Sequence, residues 1–181
     1  MDTISRPSRV FSLFFRVLFY LYPAAILTLW MLMEVQASNS MFSIDFFYES
    51  LEGGQYQDVE IWQRLACFGV SMIPGAAVMY VYHALSKLFG LYSRGTIFSS
   101  ANVACYRAIA WGLIFSQALR IPEQALQTVL LSMNNPAGER FISIGINDTN
   151  ITTVVVGMMI LIVSRIMDEG RKIQDEQTLT V

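Results

Sequence analysis

A chain of 181 residues, 54% hydrophobic and only 14% charged, has room for one domain and too few ionised groups to clothe a water-facing surface. A net charge of −2 with no basic footprint excludes a direct nucleic-acid binder. The two cysteines, Cys67 and Cys105, are too few for a disulfide framework and read as small apolar fillers.

The first predicted element is a membrane span over about 12–34. Between Arg16 and Glu34 runs VLFYLYPAAILTLWMLM, which carries no charge and meets the roughly 20 apolar residues that a crossing helix needs. Its tyrosines and Trp30 fall towards the ends, where amphipathic rings favour the interface, and Pro23 is expected to kink it. The apolar run exceeds the usual core of a cleaved signal peptide (about 7–15 residues), so it is read as a retained span. The following loop offers Met41-Phe42-Ser43-Ile44-Asp45-Phe46-Phe47 as extended chain.

A second span is predicted over about 62–86. Pro74-Gly75 lies at its middle, and the small residues Gly69, Ser71, Gly75, Ala76 and Ala77 place it nearest the centre of a bundle, because small side chains let backbones approach. In the next loop Gly95 supplies a turn, Phe98 an anchor, and Ser99 an N-cap for the third helix. That third span, about 102–123, is interrupted by Arg107 and Arg120, and only AIAWGLIFSQAL between them is free of charge. If each arginine snorkels to its own face the segment becomes long enough. Beyond it, Ile142, Ile144 and Ile146 alternate with small polar residues in a strand-like period of two. Two readings follow: a small extracytoplasmic β pairing of this third loop with the first, or irregular chain lying on the interface. The fourth span covers about 149–166, and residues 167–181 form a tail of alternating charge with pairs expected at Asp168/Arg171 and Glu169/Lys172. The tail closes in Gln177–Val181, read as extended chain: either a docking peptide or a frayed end.

Lys and Arg in short loops set orientation. Under four crossings Arg6, Arg9, Arg16, Lys87, Arg94, Arg107, Arg165, Arg171 and Lys172 share one side, and the other keeps Arg64, Arg120 and Arg140. The expected fold is thus an all-α membrane protein, a four-transmembrane-helix bundle with both termini cytoplasmic.

The inner loop and tail carry a family likeness. Gly95, Ile97, Phe98, Ser99 and Asn102, followed at the end of the chain by Glu169, Gly170, Arg171, Glu176, Leu179, Thr180 and Val181, resemble the bacterial membrane family catalogued as domain-of-unknown-function family 2975. The resemblance implies four membrane helices, genetic company with a helix-turn-helix transcription regulator, and no established activity. Arg120 and Glu123 depart from a stretch that the family keeps more apolar.

One polar set stands out in the third helix. Gln117, Arg120, Gln124 and Gln127 fall on one helical face, with Glu123 able to pair with Arg120 at i, i+3. They either line an outer mouth that takes an anionic or amphipathic ligand or, the expectation preferred here, face water and headgroups once Pro122 has marked the membrane exit. His83 is the only histidine and has no ligand-spaced neighbours, so it reads as packed or interfacial. There is no catalytic motif, so neither enzyme activity nor a cofactor or metal is expected. The functional expectation is a regulatory or sensory inner-membrane protein. It would act on a cytoplasmic partner through Gly95, Phe98, Ser99, Asn102 and the tail residues Glu169, Gly170, Arg171, Glu176, Leu179, Thr180 and Val181. The alternatives are a small transporter or resistance factor for an amphipathic compound, and a structural subunit of a membrane complex.

Overall fold

The computed structural model describes residues 2–32, 59–145 and 148–179. They form four helices: α1 (Asp2–Leu32), α2 (Ile61–Ser93), α3 (Ser100–Ser132) and α4 (Asp148–Leu179), with no strand among the described residues. Each has 31 to 33 residues, or roughly 48 Å at 1.5 Å per residue. That exceeds the ~30 Å of a hydrocarbon core. α1, α2 and α4 are also apolar enough to cross a membrane; α3 matches their length without matching their hydropathy.

The helix ends follow local chemistry. α2 is capped at Glu60, whose backbone N–H donates to the Gln63 side chain at 2.8 Å. It stops in a Schellman turn. Gly95, at φ 76°, donates its N–H to Tyr92 O, and Thr96 N–H reaches back to Leu91 O. Ser99 then caps α3 by accepting from Asn102 N–H, as the sequence predicts. Pro7, Pro23, Pro74 and Pro122 all sit inside helices. α3 runs on for ten residues beyond Pro122, so that proline does not end the element.

Close helix–helix packing runs only between sequence neighbours among the described residues: α1 on α2, α2 on α3, α3 on α4. The four helices of the expected bundle thus stand in an open antiparallel row. α2 and α3 share the interior. An aromatic ladder joins α1 to α2, with Phe15 stacked on Phe89 (5.7 Å) and Tyr22 edge-on to Tyr82 (6.1 Å). The smallest residues mark the closest approaches. A Cβ on Gly112 would stand 2.5 Å from Val81 Cγ2, and one on Gly157 would stand 3.2 Å from the carbonyl oxygen of Ala110. Gly75 accommodates the Tyr22 ring, whereas Gly69 has nothing within 4 Å and contributes no contact.

Antiparallel order gathers the N-terminal ends of α1 and α3 with the C-terminal ends of α2 and α4. Nine of the twelve Lys and Arg residues lie towards this basic end, and Arg64, Arg120 and Arg140 towards the other. Cys67 and Cys105 are free, buried and in separate clusters near opposite ends.

The β pairing is corrected in its described half. Residues 141–145 form no strand; they run back along α3 and bond to its side chains. Ser132 Oγ donates to Phe141 O (3.2 Å), Ser143 N–H to Thr128 Oγ1 (3.1 Å) and Gly145 N–H to Gln124 Oε1 (2.9 Å). The physical reason is a match of periods, two residues of extended chain against four of helix, which satisfies the backbone without a second strand. The first-loop half of the pairing, Met41–Phe47, lies outside the described residues, as do Ile146 and the last two residues of the first predicted span.

Candidate functional site

α3 presents its polar residues inward. Glu123, Gln124 and Gln127 are buried, while Gln117 and Arg120 are half-buried. This overturns the water-facing expectation for the first three: they are enclosed by protein. They also divide between two neighbours. Gln124 and Thr128 hold the 141–145 segment. Gln127 and Glu123 face α2, where the Gln127 amide donates to Ser71 Oγ and to Glu123 Oε1, both at 3.0 Å.

Ser71 is the node of this network. Its hydroxyl accepts from the indole N–H of Trp30 at 3.0 Å and donates to Cys67 O at 2.9 Å. α1, α2 and α3 therefore meet at one buried oxygen. Trp30 is 2% exposed, so it is a core residue rather than the interfacial anchor its position near a span end predicts. The possible Arg120–Glu123 ion pair does not form within 4 Å; Glu123 accepts from Gln127 instead. Gln117 Oε1 and Gln127 Oε1 are buried without a hydrogen-bond partner.

Towards the N-terminal end of α2 a second clip repeats the theme. Gln63 Nε2 donates to Leu130 O at 2.7 Å, Asn134 Nδ2 donates to Gln63 Oε1 at 3.1 Å, and Arg64 reaches the terminal carbonyls of α1 at Trp30 and Met31. Sequence reasoning missed Trp30, Ser71, Gln63 and Thr128. Ser71 left a trace as a member of the small-residue stripe, and Trp30 as a ring assigned to the interface.

At the basic end the docking candidates split. Asn102 is fully buried and donates from Nδ2 to Thr96 O, so it braces the turn and offers no surface. Phe98 is half exposed, and its ring edge lies 3.8 Å from where a Cβ on Gly170 would sit. Arg107 meets Asp168 at 3.3 Å, Arg171 meets the same carboxylate at 3.4 Å, and Lys172 meets Glu169 at 3.1 Å. The last two are the tail pairs read from sequence. Glu169 and Glu176 are exposed. Helix α4 continues through Leu179 where extended chain was expected from residue 177, and Thr180 and Val181 lie outside the described residues. His83 is exposed beside α1, with its ring 6.2 Å from that of Phe19.

Searches of curated proteins and of solved structures return no match to this chain. A family profile described as "Protein of unknown function (DUF2975)" matches residues 10–181. The match takes in α1 from Val10 onward, the whole of α2, α3 and α4, the buried network and the Gly95–Asn102 turn. The chain belongs to the DUF2975 family.

Proposed function

We infer that this is a regulatory protein of the bacterial inner membrane, crossing four times with both termini in the cytoplasm and acting on a cytoplasmic partner such as a helix-turn-helix regulator. Three features support the four crossings. α3 is as long as its neighbours and bonds to α2 near both ends, through Tyr92–Tyr106 and Gln63–Leu130. Its polar residues turn inward, as polar groups within lipid must. The clustering of nine cations at one end fits the positive-inside rule and makes that end cytoplasmic.

The observation that carries the regulatory reading is the junction of turn and tail. Phe98 lies against Gly170, and Asp168 holds both Arg107 and Arg171. The inner turn and the extension of α4 thereby share one face, in the region that holds the residues of the family likeness. Truncation after Asp168 is expected to change transcription of the partner's target genes while membrane abundance stays constant; an unaltered transcript profile overturns the reading. The buried unpartnered oxygens of Gln117 and Gln127 favour a second reading, a transporter or resistance factor for an amphipathic compound. It predicts altered drug susceptibility on joint Arg120→Leu and Gln124→Leu substitution, and indifference removes it.

A further inference from the structure

At the basic end the seam between α1 and α2 carries an open groove of about 550 Å³. Its floor is Ser12, Ser86 and Gly90. There the helices are clamped by reciprocal bonds, Ser12 Oγ donating to Ser86 O at 2.8 Å and Ser86 Oγ to Ser12 O at 2.9 Å. Phe19, Tyr20 and Leu91 supply apolar wall, and Arg16, Lys87 and Arg94 supply three cations. No Asp or Glu lines it.

The other cations of this end set a contrast. Arg107 and Arg171 share Asp168, and Lys172 has Glu169. Arg16, Lys87 and Arg94 meet no carboxylate within 4 Å among the described residues. Positive-inside orientation asks only that cations lie on one side of the membrane. It does not ask three of them to converge on one cavity, where like charges repel. Convergence without a counter-charge is explained by an anion that arrives from outside the chain.

The geometry points to a binding site in the α1–α2 groove for a phosphate-class anionic headgroup whose apolar portion lies along Phe19, Tyr20 and Leu91. The arginine forks suit bidentate contact with phosphate oxygens, and Lys87 adds a point charge. An anionic phospholipid and a soluble organic phosphate share this chemistry. Each Lys or Arg near an anionic headgroup contributes about fivefold in affinity, so the three together contribute on the order of a hundredfold. The inference goes beyond the regulatory reading and requires no cytoplasmic partner.

The test uses the full chain in neutral detergent, titrated with short-chain phosphatidylglycerol, short-chain phosphatidylcholine and inorganic phosphate, and read by native mass spectrometry and thermal midpoint. Phosphatidylglycerol is expected to bind at least tenfold more tightly than phosphatidylcholine. Joint Arg16→Gln, Lys87→Gln and Arg94→Gln should weaken it about a hundredfold, whereas joint Arg107→Gln, Arg171→Gln and Lys172→Gln should leave it nearly intact. Gly90→Leu keeps every cation but fills the floor, and it should abolish binding while the protein stays monodisperse. Should the triple variant fail to fold, exposed Lys87→Gln alone carries the test with an expected fivefold loss. Displacement of phosphatidylglycerol by inorganic phosphate supports the site and assigns it to a soluble phosphate; lack of displacement supports it and assigns it to lipid. Equal binding of the two lipids, equal losses in the two triple variants, or wild-type binding by Gly90→Leu overturns the inference.

Discussion

Replacing Ser71 by Ala removes one oxygen that three helices share. The indole N–H of Trp30 and the amide of Gln127 both lose an acceptor at 3.0 Å. With Trp30 and Ser71 each 2% exposed, water has no route to replace it. Gln127 retains Glu123 as a partner, which softens its share of the loss. Interhelical hydrogen bonds in membrane proteins contribute about 0.6 to 1.7 kcal/mol each. Two of them, less about 0.5 kcal/mol for the better helix propensity of Ala, leave a net loss of roughly 1–3 kcal/mol. Ser164→Ala is the matched control, since that hydroxyl is equally buried but bonds only to Leu161 O of its own helix; its cost should stay within about 0.5 kcal/mol. Unfolding in mixed micelles, followed by far-UV circular dichroism as the mole fraction of dodecyl sulfate rises, measures both. A double-mutant cycle with Gln127→Leu should return a coupling of about 1 kcal/mol. Equal losses at Ser71 and Ser164, or strict additivity in the cycle, would show that the shared oxygen holds nothing together.

The remaining predictions concern backbone and loop contacts. Gly157→Ala should destabilise by about 1–3 kcal/mol through overpacking, because the new Cβ meets Ile114 at 2.9 Å and the Ala110 carbonyl at 3.2 Å. Gly69→Ala, with open space around it, should be neutral or gain up to about 1 kcal/mol; thermal midpoints that shift alike for the pair contradict this. Gly95→Ala places a side chain at φ 76° and should cost about 1 kcal/mol, with Gly95→Asn milder; an unchanged midpoint counts against the Schellman turn. Thr128→Val and Gln124→Leu remove the acceptors of Ser143 N–H and Gly145 N–H. Amide exchange at those two positions should accelerate, and unaltered protection would mean that the segment is held by something else.

How far sequence reached depends on the period of each signal. Three spans, the Gly95 turn, the Ser99 cap and the tail pairs were legible because each is local: an apolar run, one backbone angle, one side chain and its neighbours. The open row was not, since apolar faces look the same whether lipid or a fourth helix covers them. The alternation Ile142, Ser143, Ile144 reads as a strand, yet the segment forms none and bonds to side chains of α3. A strand's backbone needs acceptors every second residue, and α3 offers them at Thr128 and Gln124 as well as a strand would. Trp30 was misread because aromatic rings near a span end serve either as interface anchors or as buried donors. Only the position of Ser71 across the α1–α2 contact distinguishes the two.

The poor hydropathy of α3 then has a structural explanation. α1 and α4 each pack on one neighbour, so most of their surface must suit lipid; α2 and α3 pack on two. Of the thirteen buried residues of α3, seven are polar: Asn102, Ser116, Glu123, Gln124, Gln127, Thr128 and Ser132. Five of them serve identified partners in the α2–α3 turn, in α2 or in the 141–145 segment. On the four-crossing reading, the helix that looks least like a span is the one whose side chains spend the least time against lipid. Its outward positions carry the apolar burden, as Trp111, Phe115, Ile121, Leu126 and Val129 do. A hydropathy window averages the two faces and reports neither, which is why α3 falls short while its length and neighbours match those of a crossing helix.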